Sequence, residues 1–215
     1  MLNLETYTEH EQHLPAVGKF IIAQFSKEWI IVYQAFKDSI AEFAVEHQHF
    51  GGDDYDFDRV TWLKPSFLWM MHYSGWAEKQ NQENVLAIKI SRKGFDEILR
   101  YAVMSTFYKN IYSDSTTWKK ELERTDVQLQ WEPYHDLHGA KTERKAVKIG
   151  LSGEMLHRFN NEWILEIQNI NPYVRQQQEL VKENKIKEVR LPQERAYAPN
   201  DLTILTKIDA TTISL

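Results

Sequence analysis

The 215-residue sequence has no cysteine, which excludes disulfides, thiolate nucleophiles and Cys-ligated zinc or iron–sulfur sites. Only histidine and carboxylate metal sites survive that exclusion. Glycine is scarce at 8 residues, and neither the P-loop spacing nor the G-x-G-x-x-G spacing occurs, so a Gly-rich phosphate cradle is absent. No G-x-S-x-G elbow surrounds a serine, which removes the hydrolase-type nucleophile. Positive charge is in deficit. With 26 Lys and Arg against 31 Asp and Glu the net charge is -5, so no global field draws the chain onto nucleic acid or an anionic membrane. Long apolar runs are lacking too: residues 29–32 and 67–71 fall far short of the roughly 20 that span a bilayer. Residues 1–13 are polar where a signal peptide has a basic start and an apolar run, and a cytoplasmic location is expected.

Aromatic residues are plentiful, with 7 Trp, 10 Tyr and 10 Phe, and the 42% hydrophobic content is enough for one sizeable core. After a polar leader (1–17), residues 20–25 and 29–36 are β-branched and aromatic runs that read as a β-hairpin. Asp38 or Ser39 caps a predicted helix to about Gln48. An acidic loop (53–58) leads to a strand over 59–64. Ser66 is the expected N-cap of a short helix that is apolar on every side and therefore buried, ending near Gly75. A strand over 84–90, an amphipathic helix from Gly94, strands over 127–131 and 146–151, a strand over 162–167 and a helix from Pro172 to Asn184 complete the domain (18–184). Residues 105–125 give no clear pattern, and the tail (185–215) is read as an edge strand or surface segment. Strands outnumber helices and start with a hairpin, so the fold class is α+β, a single domain with a largely antiparallel sheet packed against several helices.

Candidate chemistry is thin. Asp54, Asp56 and Asp58 alternate as in a calcium loop, but Arg59 stands where that loop needs glycine, so a solvated acidic turn is expected. The pairs His47/His49 and His135/His138 lack a metal-site spacing, and no metal is expected. The segment 59–76 is more informative. A buried helix accounts for Phe67, Leu68, Met70 and Met71, whereas Lys64, Ser66, His72, Tyr73 and Ser74 are polar groups at its ends that need partners. A cleft lined by aromatic walls and few polar groups is one solution, and a purely structural element is the other.

Residues 32–36, 61–71 with 74–76, 82–88, 130–133 with Asp136, 148–151 and 163–167 with Asn171-Pro172 together resemble the family catalogued as domain of unknown function 4291, over about residues 20–175. The pattern departs at His72-Tyr73, where the family has an aromatic–Arg pair, and at Tyr134-His135, where it has Glu–Arg. That membership implies no particular activity. In outline the chain also resembles ADP-ribosyltransferase-like enzymes that use NAD. That likeness implies Tyr33-Gln34 as a nicotinamide-contacting motif, Trp69 and Tyr73 as pocket walls, Arg59 and Lys64 facing the pyrophosphate and Glu132 as the catalytic acid. Ser66, Ser74 and Trp76 complete the expected lining. The competing expectation is a non-catalytic module for a small nucleotide or nucleic acid, with Lys64, Lys89 and Arg92 on phosphate and Trp62 and Trp76 stacked on bases.

Overall fold

A computed structural model describes residues 2–212. The chain opens with β1 (Leu4–Thr6) and α1 (Tyr7–His13), where Thr6 and Glu9 form a capping box. β2 (Gly18–Lys19) and β3 (Ile22–Ala23) are short, and β4 (Trp29–Phe36) is the long run expected there. The hairpin turn exists, with Phe25 bridged to Ile30, but its first arm then leaves: Ile22 and Ala23 pair with Ala196 and Arg195 instead. α2 (Asp38–His47), β5 (Thr61–Leu63) and α3 (Phe67–Ser74) follow.

Ser66 occupies the N-cap position of α3 without the expected side-chain cap. The Glu194 carboxylate accepts the Phe67 N–H at 2.7 Å instead. Gly75 closes the helix in the left-handed conformation that glycine tolerates, its φ being 59°.

β6 (Asn84–Ser91) leads into α4 (Arg92–Tyr101), which starts before Gly94 because the Ser91 side chain accepts the Gly94 N–H. β7 (Val103–Met104) and α5 (Ser115–Arg124), capped by Asp114, occupy the stretch whose pattern was unclear. β8 (Val127–His135) and β9 (Lys141–Leu151) are longer than expected. After α6 (Gly153–Arg158), a π-helical turn over Phe159–Trp163 delays the next strand, β10 (Ile164–Asn169). α7 (Asn171–Lys182) carries Pro172 in its first turn. β11 (Arg190–Pro192), β12 (Arg195–Ala196) and α8 (Thr203–Lys207) lie in the tail, whose positions 213–215 are outside the described residues. β11 pairs with β1, so the expected polar leader is folded against the tail.

The architecture is α+β. β10, β6 and β4 form one antiparallel sheet, and β8 and β9 form the centre of a second, with β7 on β8 and both β2 and β5 on β9. β5 joins the two: Tyr33 and Lys64 exchange backbone hydrogen bonds of 2.7 and 3.1 Å. Alternation along each strand then defines two cores. Val32, Ile88 and Ile90 share one with Leu129, Val147, Ile149 and the Phe95, Ile98 and Leu99 face of α4. Ile31, Tyr33, Val85 and Ala87 share the other with α3, Tyr134 and Ala146.

Candidate functional site

Leu63, Ile149 and Leu129 point into the first core, so their strand neighbours Lys64, Lys148, Gln130 and Glu132 belong to the opposite face of the second sheet. α3 covers part of that face through Tyr134 and Ala146. Beside it the face carries polar side chains along a strip, termed the groove, that runs from Trp62 to Tyr73. Lys148 is ion-paired with Glu132 at 2.7 Å and lies 4.8 Å from the Trp62 ring centroid. Trp62 can lie on the sheet because Gly150 sits beneath it: a Cβ there would come within 3.1 Å of the indole and 2.8 Å of Val60.

Lys64 closes the groove towards α3. Its Nζ stands 4.1 Å from the Tyr73 ring centroid and 5.7 Å from that of Trp69, and the two rings stack with centroids 5.4 Å apart. Lys79 approaches Tyr73 from another side, at 5.0 Å. Lys64 is 4% exposed, donates only a long 3.4 Å bond to the Trp62 carbonyl and has no salt bridge among the described residues. Burial pulls its ammonium down to about 7 from the usual lysine value; Lys148 adds to that, Glu132 opposes it and Lys79 lowers it further.

Of the residues expected to act, Lys64, Trp69, Tyr73 and Glu132 are therefore brought together. Tyr33 is not in the groove. It is fully buried, its ring edge-on to Phe67 at 5.8 Å and its hydroxyl without a partner among the described residues, because its strand position faces the second core. Gln34 faces the other side, where its amide donates to Thr61 Oγ1 at 2.6 Å and to the Trp62 carbonyl at 3.3 Å. It ties β4 to β5 rather than lining a cleft. Arg59 is exposed on a separate cavity with Asp54, Tyr55 and Thr61.

Ser66 is buried, and its hydroxyl has no hydrogen-bond partner among the described residues. Ser74 bonds the Met70 carbonyl at 3.0 Å and accepts from Ala77, which caps the helix end. Trp76 packs on Phe67 and lines a different cleft of about 430 Å³, with His72, His138 and Lys182. Lys89 and Arg92 are engaged elsewhere, by Glu166 and by Tyr197 and the Ala198 carbonyl. Asp54 of the acidic loop is held by Lys37 and Ser39, and among the described residues no cluster of three or more metal-ligating side chains forms.

Lys148 and Lys79 are the groove residues that sequence reasoning missed. Strand alternation carried a signal for the first, since Lys148 interrupts the apolar pair Val147 and Ile149. No pattern marks Lys79, which reaches Tyr73 only through the turn after α3.

The two bridged sheets with helices packed on them make this an α+β protein, with no helix among the described residues long and apolar enough to cross a membrane. The chain belongs to the family described as Domain of unknown function (DUF4291), which matches residues 20–197. The match runs beyond residue 175, where the motif resemblance stops, and takes in Glu194 and β12. Among curated proteins none matches the chain.

Proposed function

We propose that the chain binds a small phosphorylated nucleotide in this groove, with phosphate on Lys148 and Lys79 and the planar base against Tyr73 or Trp62. The observation that carries this reading is the placement of Lys64 and Lys148 on one sheet face, with Lys79 from the turn after α3 beside them, around the exposed Tyr73 ring and the part-exposed Trp62 ring. An ammonium serves phosphate as a point charge without a glycine loop, and a ring face stacks on any base. The net charge of -5 suits a small ligand better than extended nucleic acid.

NAD is the first dinucleotide to test, because Glu132 favours a second reading, an ADP-ribosyltransferase-like enzyme. Its carboxylate shares the groove with Lys64 and is fixed by Lys148, a placement suited to stabilising positive charge as a glycosidic bond breaks. Tyr33 and Gln34 have no part in this version of the site.

Thermal denaturation with NAD, ADP and AMP tests both readings, since a ligand at 100 times its Kd adds about 2.7 kcal/mol of stability. Stabilisation lost in Trp62→Ala and Lys148→Gln supports the binding site. Nicotinamide release that disappears in Glu132→Gln supports the enzyme. Absence of stabilisation by all three nucleotides would overturn both.

A further inference from the structure

Lys64 is out of place as a simple phosphate ligand. Its stem is enclosed at the end of β5, pinned by the two backbone bonds to Tyr33, and its Nζ is covered by Tyr73 rather than presented to solvent. Lys79 already supplies an exposed cation, and Lys148 a part-exposed one paired with Glu132. Among the described residues no carboxylate oxygen lies within ion-pair distance of Lys64, although Glu132 is near enough to be held by the neighbouring Lys148. An enclosed amine with an aromatic cover, beside other cations and without a carboxylate partner, is in the environment that makes lysine a nucleophile.

We propose, building on the nucleotide groove, that Lys64 Nζ condenses with the open-chain aldehyde of a phosphorylated pentose to form a protonated imine. The phosphate is held by Lys148 and Lys79, and Tyr73, 37% exposed, is the cover that rotates to admit the sugar. The amine lone pair attacks the C1 carbonyl carbon, a C–N bond forms and the proton on nitrogen passes to oxygen. With one proton from solvent the C–O bond then breaks, water leaves and the nitrogen carries the positive charge. No oxidant or reductant is consumed. The lowered affinity of Lys64 for its proton leaves a large neutral fraction near pH 7, where surface lysines are charged. The same aldehyde is offered by a free pentose phosphate and by the terminal ribose of ADP-ribose.

Reductive trapping tests this on the full chain. Ribose 5-phosphate, ADP-ribose and unphosphorylated ribose are each added at pH 7 with cyanoborohydride, which reduces the imine to a stable amine. Peptide mass spectrometry should find Lys64 heavier by one pentose phosphate, or one ADP-ribose, less one oxygen atom. Trapping should be at least tenfold faster at Lys64 than at any exposed lysine, and tenfold slower with plain ribose. Comparison of the two phosphorylated arms identifies which source the groove prefers.

Lys64→Met should lose the adduct in a chain that still unfolds cooperatively, which separates loss of the amine from loss of the fold. Lys148→Gln should keep Lys64 but slow the trapping of the phosphorylated sugars. Labelling spread evenly over surface lysines, or trapping of ribose as fast as its phosphate, would overturn the assignment. Nucleotide binding without any Lys64 adduct would sink the imine and leave the groove intact, whereas absent binding would sink the groove itself.

Discussion

Arg144 and Lys64 are buried to the same degree, at 3% and 4% exposure, and both cations lie over a tyrosine ring, Tyr134 at 4.4 Å and Tyr73 at 4.1 Å. Their electrostatics differ. Arg144 forks onto both Glu11 oxygens at 2.5 and 2.7 Å, which anchors α1 to β9. Lys64 has only a long bond to a carbonyl. A buried cation whose partner is fixed serves the fold, whereas one without a partner costs stability and remains reactive.

Breaking the Arg144 pair should have the largest effect. Glu11→Gln leaves a guanidinium buried without its countercharge, and urea unfolding should show a loss of about 3 kcal/mol. A loss below about 1 kcal/mol, the range of an exposed pair, would erase the contrast with Lys64.

The pH dependence of stability probes Lys64 directly. Its folded value is about 7 against 10.5 for an ordinary lysine, so between these the unfolded chain binds the extra proton. Stability contributed by Lys64 therefore rises with pH across that window, by about 1.4 kcal/mol per unit, and is constant above and below it. Urea unfolding at pH 8 and pH 9 should show this slope in the native protein and lose it in Lys64→Met. His10, buried and held down to about 4, gives a separate rise at lower pH, between there and 6.5. Glu194 acts in the opposite sense: burial holds its carboxyl well above the usual range, so its penalty grows as pH rises above the ordinary carboxylate value.

Lys64→Met itself replaces an unpaired buried ammonium by an apolar chain of similar length. A gain of at least about 1 kcal/mol at pH 7 is expected, the opposite sign from Glu11→Gln. A loss comparable with that of Glu11→Gln would show that Lys64 is a structural cation after all.

These contrasts were only partly legible in the sequence. Continuous β-branched and apolar runs were sufficient for β4 and β6, and the all-round apolar run of α3 announced its burial, because both signals are local. Lys64 and Tyr73 stood out as polar groups at the ends of an apolar run, whereas Trp69 and Glu132 were implied only by the likeness to NAD-using enzymes. The direction of Tyr33 was not, since it depends on β5 bridging β4, and neither was the pairing that puts Lys148 beside Glu132. Glu194 was invisible as the cap of α3 because it comes from 127 residues away, displacing the adjacent Ser66 from the role its position suggested.

The smallest expected change in stability, and the sharpest separation of fold from site, comes from Lys148→Gln. The Glu132–Lys148 pair is part-exposed, with side chains at 26% and 17%, and solvent screens it, so its loss should cost less than about 1 kcal/mol. The ammonium nevertheless sits between the Trp62 ring and Glu132, where the proposed nucleotide site would take a phosphate. Nucleotide affinity should therefore fall by about tenfold, equivalent to about 1.4 kcal/mol, while the unfolding midpoint without ligand barely moves. Isothermal titration with ADP alongside urea unfolding distinguishes the two effects. A variant that loses stability but binds as before would make Lys148 a partner of the fold like Arg144, and would leave Lys79 and Lys64 as the only cations of the groove.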